Sequence, residues 1–148
     1  LLYARGLATA QLKRLVEHER DMRRLIELQP DNAHAYNALG YTLADQSIRL
    51  DEAFALINKA IELQPGDPFI LDSLGWVHYR LGNYGLAVGS LRKAFELRSD
   101  PEIAAHLGEG LWTQGRFEEA RDVWGLGLGD EDGANNLVLQ ETIRRLDP

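Results

Sequence analysis

Four histidines, His18, His34, His78 and His106, are the side chains best suited to metal or acid–base chemistry in a 148-residue chain without cysteine. A zinc site needs three or four convergent ligands, usually two of them at helical or knuckle spacing. These histidines lie far apart in sequence, and His18-Glu19 lacks the second histidine of a zincin helix. His106 and Glu109 stand three residues apart on one helix face. That pair reads either as polar lining of a groove or as half of a metal site. The acidic stretch Asp130 to Asn136 lacks the alternating ligands and distal glutamate of an EF-hand loop, and reads as a solvated connector. No phosphate-binding loop and no nucleophile elbow occur. Without cysteine, disulfides and thiolate chemistry are excluded. No metal or cofactor is expected, and a hydrolase using His106 and Glu109 is only a remote alternative.

The elements that carry these residues repeat. Leu39-Gly40, Leu74-Gly75 and Leu107-Gly108 recur at offsets of 35 and 33, and Ala53, Ala87 and Ala120 recur in step. Ile-Glu-Leu-Gln-Pro occurs twice without change, at 26–30 and 61–65. A fixed period of about 34 residues marks stacked supersecondary units in place of one central core. Within a unit, Leu71, Leu74, Gly75 and His78 fall on one helical face, Leu81-Gly82-Asn83-Tyr84 interrupts, and Ala87, Leu91 and Ala94 form the next face. Small residues at a helix crossing let two backbones approach.

This pattern resembles the tetratricopeptide repeat. One unit supplies Tyr36, Leu39, Gly40, Leu43, Ala53, Ile57, Ala60 and Pro65. The next supplies Leu71, Leu74, Gly75, Gly82, Tyr84, Ala87, Leu91 and Ala94, and the third Ala104, Leu107, Gly108, Leu111, Gly115, Phe117, Ala120 and Trp124. The resemblance implies an all-α, right-handed solenoid of antiparallel helix pairs, about nine helices in all. Residues 1–148 then form a single domain: a degraded unit at 1–31, repeats at 33–67, 68–100 and 101–134, and a capping helix at 135–147.

Several departures are local. The first full unit holds one extra residue around Gln46-Ser47-Ile48, so its turn should bulge. The glycines of Gly125-Leu126-Gly127-Leu128-Gly129 should end or fray the third unit's second helix. Leu2, Gly6, Leu15, Met22, Leu25 and Pro30 fit a degraded helix pair, with Arg5 and His18 at two signature places and no turn signal between its helices. Asp130-Glu131-Asp132-Gly133 reads as a polar loop. In the last helix, Leu137, Ile143 and Leu146 are expected to face inward, with Glu141, Arg144 and Arg145 solvated. The chain begins without Met inside a helix-like segment, which suggests a piece of a longer protein.

The formal net charge of -7 argues against nucleic acid as the main partner. Lys13, Arg14, Arg20, Arg23 and Arg24 are interleaved with Glu17, Glu19, Asp21 and Glu27, which reads as a solvated, salt-bridged face. No run of about 18 apolar residues exists to span a membrane.

In the repeats that this chain resembles, the first helix of each pair lines the concave surface. Stacking consumes the Leu-Gly face, so His34, Asn37 and Tyr41 from the first unit are expected to face the groove. Phe69, Asp72, Ser73, Trp76, Tyr79 and Arg80 follow from the second, and Glu102, His106, Glu109, Trp112 and Thr113 from the third. Clustered exposed aromatics favour hot spots, and Trp76 and Trp112 fall off the stacking faces. Packing against a neighbouring unit or turn is their other reading. The carboxylate clamp of some family co-chaperones is not matched: of Asn37, Tyr41, Ser73, Glu102 and His106, only Asn37 keeps that chemistry.

The expected function is a non-catalytic adaptor that holds an apolar to weakly basic protein segment in an aromatic groove. Self-assembly through Leu2, Leu7 and Leu12 of the front unit is the alternative. The runs 37–45, 70–76 and 104–109 also resemble a proteobacterial lineage that includes outer-membrane lipoproteins. That likeness implies a periplasmic adaptor, anchored through a missing N-terminus, serving a C-terminal processing protease or its substrates; the cytoplasm is the alternative location.

Overall fold

A computed structural model describes the backbone of residues 2–129 and 131–148, and the side chains from residue 9 onward within those ranges. Nine helices occur among the described residues, with no strand: α1 (Leu2–Leu28), α2 (Ala33–Asp45), α3 (Leu50–Leu63), α4 (Pro68–Arg80), α5 (Tyr84–Leu97), α6 (Pro101–Thr113), α7 (Phe117–Gly127), α8 (Glu131–Ala134) and α9 (Leu137–Leu146). Helices α2/α3, α4/α5 and α6/α7 pack as pairs, and each pair rests on the next to give a helical solenoid.

The first helix of each pair starts by the same local chemistry. Asn32 caps α2 by accepting from Ala35 N, Asp67 caps α4 from Phe69 N and Ile70 N, and Asp100 caps α6 from Glu102 N and Ile103 N. Pro68 and Pro101 follow at the first helical position, where no amide partner is lost. These helices end by a common bond as well: Ile48, Asn83 and Arg116 N–H donate to the Leu43, His78 and Leu111 carbonyls. Gly82 (φ 85°) and Gly115 (φ 81°) supply the left-handed residue that this ending needs. In the first unit Ser47 takes that place at φ 53°, and the extra residue is absorbed by Arg49 at φ 44°. The bulge read from the sequence is therefore two left-handed non-glycine residues.

The core is continuous along the stack. One cluster joins Leu39, Leu43, Ala53, Ile57, Ile70 and Val77; the other joins Ala87, Leu91, Ile103, Leu107, Leu111 and Trp124, and Tyr79 packs against both. Burying each of the larger side chains contributes roughly 1.5–3 kcal/mol.

Three expectations need correction. The front segment is one unbroken helix, α1, because no glycine or proline interrupts Leu7 to Gln29. Its later half packs Met22 and Ile26 against the first core cluster, while Arg23 reaches Glu52 at 3.0 Å and Arg49 Nη1 donates to Glu19 at 3.0 Å. The side chains of Leu2, Arg5, Gly6 and Leu7 lie outside the described residues. Second, the polar loop after α7 contains a single helical turn, α8, whereas α7 itself ends at Gly127 after 11 residues, against 14 in α3 and α5. Asp130 lies outside the described residues.

The third correction concerns α9. Leu137 is 78 % exposed, and Leu139 is fully buried in its place. Asn136 caps α9 just as Asn32, Asp67 and Asp100 cap their helices, so α9 keeps the register of a first helix. Leu139 then falls where Ala35, Ile70 and Ile103 are buried. At the glycine position of that register stands the exposed Arg144, so this face is not shaped for a close second helix.

Candidate functional site: the concave face

Counted from their caps, α2, α4 and α6 place equivalent side chains one repeat apart. The second position carries His34, Phe69 and Glu102, all exposed. The ninth carries Tyr41, Trp76 and Glu109, and the sixth carries Ala38, Ser73 and His106. The structure treats these three rows differently.

The ninth and sixth rows interlock. His106 Nδ1 lies 2.8 Å from Asp72 Oδ1, and its Nε2 lies 3.3 Å from the Tyr41 hydroxyl. The imidazole stacks on Trp76 with centroids 4.2 Å apart, and Trp76 stacks in turn on Tyr79 at 4.8 Å. Trp76 Nε1 donates to Asp45 Oδ1 at 3.2 Å, and the Arg80 guanidinium sits 4.8 Å above the indole while also bonding the Asp45 carbonyl. Glu109 is bonded by Arg145 from α9, and the Ser73 hydroxyl donates back to the Phe69 carbonyl.

Of the two readings the sequence leaves open for Trp76, the structure has the packed one: it is 4 % exposed. Asp72, His106 and Glu109 are buried with it, so they form a floor. Trp112 takes the packed reading as well. It packs on Phe117 at 4.5 Å and Trp124 at 5.6 Å, with Arg121 over its ring. Its place in the last turn of α6 matches Tyr79 in α4, which meets Tyr84 at 5.5 Å in the same way. Both aromatics therefore bind a first helix to the start of its partner helix. Tyr79 also shares a 3.0 Å hydrogen bond with Thr113, one repeat on.

What remains open is the rim. Phe69 is 43 % exposed, with Arg98 5.6 Å above its ring. His34 and Glu102 lie on either side of it, while the amide oxygen of the half-buried Asn37 is itself buried and has no hydrogen-bond partner.

The Asp72–His106–Tyr41 order has the outline of a proton relay, but its terminal hydroxyl is not activated. Burial, reinforced by Asp45 and Asp72, pushes the Tyr41 phenol well above its ordinary range. Burial likewise pushes Tyr79 up to about 12. His106 and Glu109 turn to different partners, and no cluster of three or more metal-ligating side chains exists among the described residues.

Sequence reasoning missed Asp45 and Arg145. Their signal was available: Asp45 and Arg80 lie 35 residues apart, and Glu109 and Arg145 lie 36 apart. Opposite charges at one repeat's separation on first helices meet across the stack.

Comparison with known proteins bears on the same features. The profile of the tetratricopeptide repeat matches residues 19–68 and 73–128. A repeat-containing protein of Pseudomonas aeruginosa is 50 % identical over 109 residues, covering 74 % of this chain; the chain spans only 18 % of that protein's length. Among solved structures, TTC0263 of Thermus thermophilus superposes with a TM-score of 0.76 at 23 % identity, covering 93 % of this chain and 75 % of the other. YrrB, described as a repeat protein with an unusual peptide-binding site, superposes with a TM-score of 0.59 at 20 % identity, covering 93 % and 78 %. With its capped first helices, left-handed turns and small crossing residues all in register, the chain belongs to the tetratricopeptide repeat family.

Proposed function

We propose that this chain is a non-catalytic adaptor module that holds an apolar to weakly basic segment of another protein along the rim and floor of its concave face. The observation that carries the reading is the open row His34, Phe69 and Glu102, set at one position of three successive first helices. Phe69 offers an apolar anchor, and Glu102 favours a lysine or arginine and opposes a carboxylate. Beneath them the Trp76 and His106 floor is packed and satisfied, so it supports a ligand without needing to rearrange. The family is one of protein-binding scaffolds, and one fold neighbour is described as peptide-binding. Sequence likeness to a bacterial relative accords with the further proposal of a periplasmic adaptor serving a C-terminal processing protease or its substrates.

The test is a pull-down from bacterial extract with three baits: the parent, a Phe69→Ser/Glu102→Lys form, and Leu86→Ser on the exposed face of α5. All three substitutions fall on exposed residues, so folding is preserved. Loss of the captured protein from the first variant alone is the expected result. Loss from Leu86→Ser alone would move the site to the other face and end this reading.

A second reading, self-assembly, is favoured by α1, where Leu12 and Val16 are 61 % and 59 % exposed. Sedimentation as a monomer at tens of micromolar, roughly the range of weak dimers, would dismiss it.

A further inference from the structure

We infer that His106 is a proton-controlled joint of the concave face: as an imidazolium it ties α2, α4 and α6 into one rigid floor, and on losing its proton it loosens that tie. Three observations place it there. Its two ring nitrogens reach Asp72 on α4 and Tyr41 on α2, while the residue itself belongs to α6. Its ring is clamped face to face on Trp76, and Trp76 is held from behind by Asp45 and Arg80. The side chain is almost wholly buried, so water cannot replace these partners. A buried charge pair whose partner is lost leaves an uncompensated charge, here the Asp72 carboxylate.

The groups facing His106 are unbalanced in sign. Tyr41 and Asp45 approach from α2 and Asp72 from α4, Glu109 lies on its own helix, and the opposing cations are Arg80 of α4 and Arg145 of α9. Arg80 is engaged by Asp45 and Arg145 by Glu109, so Asp72 is left for His106. Burial alone would pull the imidazole down, but the charge and hydrogen bond of Asp72, helped by Asp45 and Glu109, outweigh it and raise His106 above the usual histidine range. The sign follows: with the folded value above the unfolded one, the contribution is complete below about pH 6.5, the ordinary histidine value, and is lost as pH rises through the folded value.

The joint is made by contacts within the fold, so its test needs no partner. Histidine ring resonances of the intact chain would be followed by NMR from pH 5 to 10, a range that brackets the ordinary histidine value of about 6.5, alongside amide exchange in α2, α4 and α6. His106 is expected to titrate above the ordinary histidine value of about 6.5, and Asp72→Asn to bring its midpoint down. Amide exchange in the three helices, corrected for its intrinsic rise with pH, is expected to quicken as His106 deprotonates and to lose that step in His106→Gln. A His106 midpoint at or below about 6.5, the ordinary histidine value, would overturn the inference, even if neither variant folds. So would deprotonation without any change in exchange, which would leave only a static contact.

Discussion

Gly108 and Trp124 cross so closely that a Cβ built on Gly108 would fall 1.9 Å from Trp124 Nε1. The same crossing recurs with smaller partners, at 2.6 Å between Gly40 and Ile57 Cγ1 and at 2.5 Å between Gly75 and Leu91 Cγ. The third pair is tightest because a flat, rigid indole lies where the others put an aliphatic chain. Gly108→Ala is therefore expected to force α6 and α7 apart at a cost of about 1–3 kcal/mol, read as a fall in the urea midpoint. Gly125→Ala, with nothing within 4 Å, is expected to go the other way by about 0.5–1 kcal/mol. Equal effects from the two would show that the crossing is looser than described.

Ser47 stands where the other two turns use glycine, at φ 53° against 85° and 81°. A side chain in this left-handed region costs about 1–2 kcal/mol. Ser47 is exposed and its hydroxyl has no bond to lose, so Ser47→Gly should relieve part of that strain. The gain is offset by the added freedom of the unfolded chain. A net rise of about 0.5–1 kcal/mol in unfolding free energy is expected, measured by thermal melting.

The solenoid was legible because its signals repeat: Leu-Gly and the small Ala recur in all three units and the turn glycine in two, and errors at one copy are corrected by the next. The single-copy segments were legible only in part. Reading α1 as a pair required a turn that the residues do not contain, and in α9 Ile143 and Leu146 do pack inward, but Leu139 takes the buried place expected of Leu137. The resemblance to the repeat grouped these residues on the first helices, and the structure sets Tyr41, Asp72, Trp76 and His106 against one another. Their exposure was not legible, because burial of Trp76 depends on Arg80 and Asp45 folding over it from two different repeats.

His78 offers a pH dependence of opposite sign to His106. Burial lowers its pKa, its Nδ1 has no partner, and its ring meets Phe54 edge-on at 5.5 Å. The neutral form is the one the fold accepts, so its contribution is whole above about pH 6.5 and declines as pH falls below it. Carboxylates also lose stability in acid, so the informative quantity is a difference. The urea midpoint of the parent minus that of His78→Gln should shrink from pH 8 to pH 5, a range spanning the ordinary histidine value of about 6.5. A constant difference would mean that His78 is free to be charged in the fold.

The Glu109–Arg145 contact fastens α9 to the floor, and its two halves are not equivalent. Glu109 is buried at 6 %, while half of the Arg145 side chain is open to water. Removing the carboxylate leaves a guanidinium that solvent can satisfy. Removing the guanidinium strands a buried carboxylate, which costs more than the pair contributes. Arg145→Ala is therefore expected to destabilise by about 1–3 kcal/mol, and Glu109→Gln by less. The same asymmetry should appear locally, as faster amide exchange in α9 for Arg145→Ala, with α2 and α3 unchanged at the far end of the stack. If Glu109→Gln proves the more damaging, the carboxylate serves the floor through Tyr79 instead, and α9 is held by Leu139, Ile143 and Leu146 on the core and by the Arg121–Asp147 pair.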